Sequence, residues 1–283
     1  MRRPASSRPP VVVITGASSG IGKACAEFLY ARGYRVYGTS RQAPRAVVQA
    51  SASDDAPLFE LIPLDVTSDE SVERGIGIVL ACEGRIDVVV NNAGFGVAGA
   101  VESTTIDEAH EQFETNFFGT MRMCRAVLPI MRQQGSGRIL NLSSIAGRIG
   151  IPYQALYSAS KFAIEGFTEA LRMEVAPFGI QVVLIEPGDF RTGFTASRRM
   201  ARDAGSPVYS ARQAKALAVM EHDETQGATP EAVGRLAHRI ITSRSPRVRY
   251  AVGPASEKLA LALERFAPSR LLEWGIATYY RVR

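Results

Sequence analysis

Tyr157 and Lys161, in the run YSASK, stand four residues apart within a stretch of helical period, so both side chains share one face, one turn apart. An ammonium beside a phenol favours the phenolate. Lys161 is therefore expected to depress the Tyr157 pKa from its reference near ~10 toward the working range of a general acid/base. Tyrosine and lysine at this spacing also occur as plain surface pairs. What lifts this pair above that is Ser144, thirteen residues before Tyr157 at the end of a strand-like run, where the carboxyl edge of an open sheet gathers ligands. Ser143 is the alternative hydroxyl.

A second constellation lies near the start. TGASSGIG follows the first apolar run and opens the first helical segment, so Gly16, Gly20 and Gly22 fall where backbone must approach a ligand closely. Their spacing is GxxxGxG, not the GxGxxG of the common dinucleotide fingerprint. Small side chains at a helix N-terminus offer free N–H groups and a positive dipole end to a pyrophosphate, although a tight turn alone would use the same glycines. Roughly 20 residues further on, an NAD site presents a carboxylate to the ribose 2′-hydroxyl. This chain has Arg41 there. A guanidinium fork suits a phosphate, so NADP(H) is the expected cofactor, with Ser18 and Ser19 as nearby hydroxyl donors.

Short β-branched runs alternate with helical segments, the pattern of a parallel sheet covered on both faces. Strands are expected over 11–15, 35–40, 58–64, 86–91, 137–143, 180–186 and 248–252, and helices over 20–32, 68–82, 106–132, 153–175 and 230–243. Seven strands with five crossovers make one doubly wound α/β sheet. Thr67 with Glu70, and Thr105 with Glu108, have the spacing of reciprocal helix caps, and Thr229 before Pro230 reads as cap and first turn. Residues 189–228 are too long for an ordinary loop and are expected to form a substrate lid. The tail, 254–283, is helical in period, broken at Pro268, and holds the only tryptophan, Trp274. Covering the pocket or packing in an oligomer interface is its expected role, ahead of lying on a membrane.

Composition bounds the reading. With 283 residues, 46% hydrophobic and 22% charged, the chain can bury one large core, and disordered, collagen-like and coiled-coil classes are excluded. No stretch approaches the roughly 18 consecutive apolar residues of a membrane span. Arg2, Arg3 and Arg8 precede an apolar run at 11–14 that is too short for a secretory signal, leaving 1–10 as a flexible basic arm. Cys25, Cys82 and Cys124 show no metal or disulfide spacing, which fits buried thiols in a reducing cytoplasm. His110, His222 and His238 likewise show no metal spacing. The net charge of +5 is uneven: 1–10 carry +3, 235–283 carry +7, and the middle carries −5. Solvated surface charge explains this more simply than nucleic acid does.

Several ordered motifs together resemble the short-chain dehydrogenase/reductase family over residues 10–253: TGASSGIG at 15, LDV around Asp65, NNAG at 91, Asn116 in TNFFG, the serines at 143, YSASK at 157 and PGDFRT at 187. The resemblance implies a single-domain Rossmann fold over 11–253, with Tyr157 as proton donor or acceptor and Lys161 holding the nicotinamide ribose. It implies Ser144 orienting the substrate oxygen and Asn116 holding a relay water. On the same ground Ile21 belongs with the glycine turn, Asp65 and Val66 contact adenine, Asn92, Ala93 and Gly94 flank the cofactor, and Pro187, Gly188, Phe190 and Thr192 hold the nicotinamide end. It further implies a homodimer or tetramer packed through the helices around 106–132 and 153–175. VYGTSR, YSASKFAIEG and the basic tail are similar to 17-beta-hydroxysteroid and retinol dehydrogenase-like members.

The expected reaction is NADP(H)-dependent hydride transfer between nicotinamide and a carbonyl or alcohol (a CH–OH donor). Phe95, Val97, Ile149, Ile151, Tyr153, Leu156, Phe194, Met200 and Met220 are expected near the pocket, an apolar wall that suits a bulky steroid-, retinoid- or lipid-like substrate. Arg148 or Arg191 is the candidate for pairing with an acidic substrate group. The rivals are a non-catalytic NADP(H) sensor, against which the intact Ser144, Tyr157 and Lys161 argue, and a surface-binding module using the basic ends.

Overall fold

A computed structural model describes residues 8–43, 59–193, 197–202, 207–264 and 266–283. The first strand, β1 (Val11–Ile14), is buried at every position. A strand covered by helices on both faces needs no polar alternation, yet the pleat still sorts its side chains. Val11 and Val13 enter one core cluster, while Val12 and Ile14 enter the other.

β1 leads into α1 (Gly20–Tyr30), then come β2 (Arg35–Ser40), β3 (Glu60–Pro63), α2 (Asp69–Glu83) and β4 (Val88–Asn91). β5 (Val97–Ala98), α3 (Ile106–Phe113), α4 (Gly119–Gln134), β6 (Gly137–Leu142) and α5 (Ala155–Val175) follow. The chain continues through β7 (Ile180–Pro187), β8 (Arg199–Met200), α6 (Ser210–Gln226), α7 (Glu231–Thr242), β9 (Arg249–Val252), α8 (Ala255–Glu264) and α9 (Ser269–Tyr279). Seven strands pair in parallel in the order β3-β2-β1-β4-β6-β7-β9. Their order reverses between β1 and β4, which opens a crevice at the carboxyl ends of those two strands. Val72, Ile76 and Val79 of α2, Met123 and Val127 of α4, and Leu171 of α5 fill the core on one face. Leu29 of α1 and Val233, Leu236 and Ile240 of α7 fill the other.

Several expectations are corrected. The helix read as continuous over 106–132 is broken by a π-helical turn at Glu114–Phe118, whose wider hydrogen-bonded loop redirects Asn116 into full burial. Within the connection 189–228 the described residues form α6 and β8, which pairs with β5 in a second, two-stranded sheet. Helix α2 is capped by Ser68, which accepts from the Ser71 amide, and not by Thr67, which binds the Asp65 carboxylate instead. The Thr105–Glu108 reciprocal cap forms as spaced, and α7 starts one residue after Pro230. Tyr153 precedes α5 in a turn with φ +59°. Cys82 is exposed, unlike Cys25 and Cys124. His238 has a structural contact, its Nδ1 meeting the Tyr34 hydroxyl at 3.0 Å. Leu58 and residues 1–7 lie outside the described residues.

Two glycines should respond to the same substitution with opposite signs. A Cβ on Gly22 would meet the Gly16 carbonyl oxygen at 2.4 Å, whereas one on Gly77, inside α2, meets nothing within 4 Å. Gly22→Ala should cost about 1–3 kcal/mol of unfolding free energy by forcing the turn off the helix. Gly77→Ala should add about 0.5–1 kcal/mol by removing backbone entropy from the unfolded chain. Urea melts of both variants check this, and equal signs would contradict the packing described.

Candidate active site

The carboxyl ends of β1, β2, β4, β6 and β7 rim a cleft of about 950 Å³. Gly16 and Gly20 turn the chain out of β1 with φ of +66° and +56°. Asn92, just past β4, clamps that turn: its Nδ2 donates to the carbonyls of Thr15 at 2.9 Å and Gly16 at 3.1 Å. The Asn92 and Ala93 amides in return donate to the Thr15 hydroxyl. Helix α1 then begins with no side-chain cap from Ser19 and no acid in its first turn, whereas α2 and α3 each have a hydroxyl cap and two acids there. Its first amides are thus left for an external acceptor, for which an anion is the natural partner. Arg41, at the end of β2, is exposed on the same rim beside Ser18 and Ser19. No ion pair joins it to another described residue.

The reactive hydroxyls meet across the cleft. Ser144 follows β6 in extended backbone, accepts from the Ala146 amide at 3.1 Å, and lies 3.4 Å from the Pro187 carbonyl. Its hydroxyl is hydrogen-bonded to Tyr157. Lys161, one turn along α5, is almost wholly buried, donates to the Leu142 carbonyl at 2.9 Å, and lies 5.7 Å from the Tyr157 ring centre. Burial pushes the Lys161 amine down to about 8, partly opposed by the Glu165 carboxylate.

The expected acidification of Tyr157 by Lys161 is corrected. Burial pushes the phenol up to about 12, the Ser144 hydrogen bond draws it down, and Glu224 and Asp189 push it further up. Loss of solvent around the phenolate outweighs the other contributions. What the protein itself sets is therefore a protonated tyrosine, a proton donor by default.

Of the residues singled out in the sequence, Gly16, Ser18, Ser19, Gly20, Ile21, Arg41, Asp65, Val66, Asn92, Ala93, Gly94, Ser144, Tyr157, Lys161, Pro187, Gly188, Phe190 and Thr192 all line this one cleft. Gly22 and Asn116 do not. Gly22 lies beneath the glycine turn. The side-chain amide of Asn116 is committed to structure: Oδ1 accepts from the Phe95 amide, and Nδ2 donates to the Phe95 carbonyl and the Ser160 hydroxyl, all at 3.0 Å. Ser160 in turn donates to the Tyr157 carbonyl. Asn116 thereby fixes the segment after Gly94 to the helix that carries Tyr157.

The substrate end is more polar than an apolar wall. Phe95, Ile151 and Met220 line it, but so do Asp189, Glu224 and Tyr280. Val97 and Ile149 are core, Tyr153 faces a separate cavity, Leu156 is outside the lining, Met200 is exposed, and Phe194 lies outside the described residues. Arg148 is occupied by Glu186 and Glu264, and Arg191 does not line the cleft. Glu224 is ion-paired with Arg198. Asp189 is hydrogen-bonded to Glu257 of the tail, and burial followed by that contact pushes its carboxyl well above the usual carboxylate range. Asp189 stood in the PGDFRT motif and was legible by position. Glu257 and Tyr280 come from a tail whose local pattern carries no signal for this site.

Residues 10–203 match the family model described as short chain dehydrogenase. The chain is 40% identical over 277 residues to a 3-ketodihydrosphingosine reductase of Bacteroides thetaiotaomicron, covering 98% of this chain and 100% of that one. A short-chain dehydrogenase structure from Streptomyces avermitilis superposes with TM-score 0.78 at 34% identity, over 96% of this chain and 98% of the other. A Burkholderia phymatum short-chain dehydrogenase/reductase in complex with NAD gives TM-score 0.77 at 26% identity, over 91% and 92%. With the motifs in order and gathered in one cleft, the chain belongs to the short-chain dehydrogenase/reductase family, an oxidoreductase of its retinol- and steroid-dehydrogenase-like kind.

Proposed function

We propose that this protein is an NADPH-dependent reductase of a long-chain amino ketone, of the 3-ketodihydrosphingosine type. The observation that carries it is the Ser144–Tyr157 hydroxyl pair facing into the cleft with Lys161 beneath. A nicotinamide dinucleotide bound there supplies the hydride. The glycine turn and the first amides of α1 would hold its pyrophosphate, and Arg41 with Ser18 and Ser19 its 2′-phosphate. Ser144 orients the carbonyl oxygen by hydrogen bonding. Tyr157, kept protonated by burial, gives that oxygen its proton as negative charge develops on it. Lys161, cationic below about pH 8, stabilises the phenolate left behind.

The substrate class is supported by the 40% identity to the Bacteroides reductase across both whole chains. It is also supported by the acids at the substrate end. Asp189 and Glu257 share a hydrogen bond in partial burial and hold negative charge between them, whereas Glu224 beside them is paired with Arg198. Such a site suits the ammonium that an amino ketone carries, while Phe95, Ile151 and Met220 meet its alkyl part. Exposed Phe118, Phe162 and Met173 on and beside α4 and α5 support association between copies of the chain through those helices.

Tyr157→Phe should lower kcat/KM for reduction by about 10²–10⁴ while dinucleotide binding, read by fluorescence titration, stays within a few-fold. In the wild type, reduction should hold a plateau at neutral pH and decline above about pH 8 as Lys161 loses its proton. A flat profile to pH 10 would refute that role for Lys161. Arg41→Asp should shift the NADPH-over-NADH preference toward NADH by roughly 10- to 100-fold, the worth of a charge-assisted contact. N-acetylation of the amino ketone removes its charge and should raise KM by at least about tenfold in the wild type. In Asp189→Asn the two substrates should converge, and a wild type indifferent to acetylation would exclude ammonium recognition.

A further inference from the structure

The tail is amphipathic in the inverted sense. Along α8, Glu257, Leu261 and Glu264 recur at i, i+4 and i+7 and turn toward the protein: Glu257 accepts from the Asp189 amide, Leu261 is buried, and Glu264 pairs with Arg148 at 2.8 Å. Leu259 and Leu263 therefore face solvent, 60% and 55% exposed. On α9, Leu271 is 58% and Trp274 50% exposed. Large side chains left in water across two consecutive helices mark a contact surface.

Charge identifies what covers it. Turning Glu257 and Glu264 inward leaves the outer surface of the described tail to Lys258, Arg270, Arg281 and Arg283, against Glu273 alone among exposed acids. Arg283 lies over the Trp274 ring, 5.7 Å from its centre. A self-complementary contact between two copies would bring two patches of the same net positive charge together. An anionic surface of low polarity meets both the apolar residues and the cations at once.

We propose that the outer surface of α8 and α9 docks on an anionic lipid surface. The tail is anchored beside the cleft: Glu257 reaches the Asp189 amide, the Tyr279 hydroxyl donates to Asp223 at 2.9 Å, and Tyr280 lines the cleft itself. Docking thus sets the substrate end of the cleft close to the lipid. The surface argument goes beyond the proposed reaction and does not depend on it.

The test is co-sedimentation of the full chain with phosphatidylcholine vesicles, with and without phosphatidylglycerol. Binding is expected to the anionic vesicles only, and to be lost in high salt. Leu263→Glu/Trp274→Glu and, independently, Lys258→Glu/Arg270→Glu should each weaken it by roughly tenfold or more. Melting temperature and turnover of a water-soluble ketone should stay at wild-type values. The second pair leaves the apolar residues intact and keeps the test open if the first pair folds poorly. Protein left in the supernatant with both vesicle types overturns the proposal. So does wild-type vesicle binding by both double variants, or a change from dimer to monomer on sedimentation velocity as their only effect. Because binding is read without turnover, failure of the proposed reaction and failure of docking are separate results.

Discussion

Lys161 is nearly stripped of water, and the arrangement around it depends on giving its ammonium partners in that place. Leaving a buried charge without a partner costs about 3–5 kcal/mol. The Leu142 carbonyl at the end of β6 accepts a hydrogen bond from its ammonium, and Glu165, one turn further along α5, supplies opposite charge. Glu165 comes with the helix itself, but the Leu142 carbonyl is available only if α5 lies along β6 in one register. The same register places Tyr157 against Ser144. The burial that raises the Tyr157 phenol also lowers the Lys161 amine, so both shifts follow from one packing arrangement.

Glu165 carries this constraint outward. It is bonded by Arg249 of β9 at 2.8 Å; Arg249 lies 3.3 Å from Glu186, and Glu186 lies 3.4 Å from Arg148, which reaches Glu264 of the tail. Alternating charges thus run from the floor of the cleft to its outer cover. A network of this kind, partly buried, adds little net stability relative to apolar residues of the same shape. What it does is fix direction: each guanidinium has one place to be. The sheet edge at β9 and the tail helix are thereby indexed to the catalytic helix.

The substrate end follows another logic. Three segments remote in sequence, the loop after β7, α6 and the tail, bring Asp189, Glu224, Glu257 and Tyr280 together. Acids gathered in partial burial raise one another's proton affinity, seen in Asp189. A cationic group entering there relieves that repulsion, whereas a neutral hydrocarbon leaves it intact.

The unbroken apolar run VVVI and its successors, the glycines at 16, 20 and 22, and the i, i+4 pair at 157 and 161 are local statements, and sequence alone determined them. Burial on both faces, a positive φ and one helical turn are each imposed within a few residues. Sequence likewise determined that one crevice would collect the conserved-looking pieces of the dinucleotide site, because strand ends in an open sheet share an edge. Only the tertiary structure decided the π-turn that commits Asn116 to Phe95 and Ser160, the sign of the shift at Tyr157, the arrival of Tyr280 at the cleft and that of Glu257 against the Asp189 amide. Each depends on how much water remains around a group, or on which distant segment packs against it. Neither quantity is written in the spacing of residues along the chain.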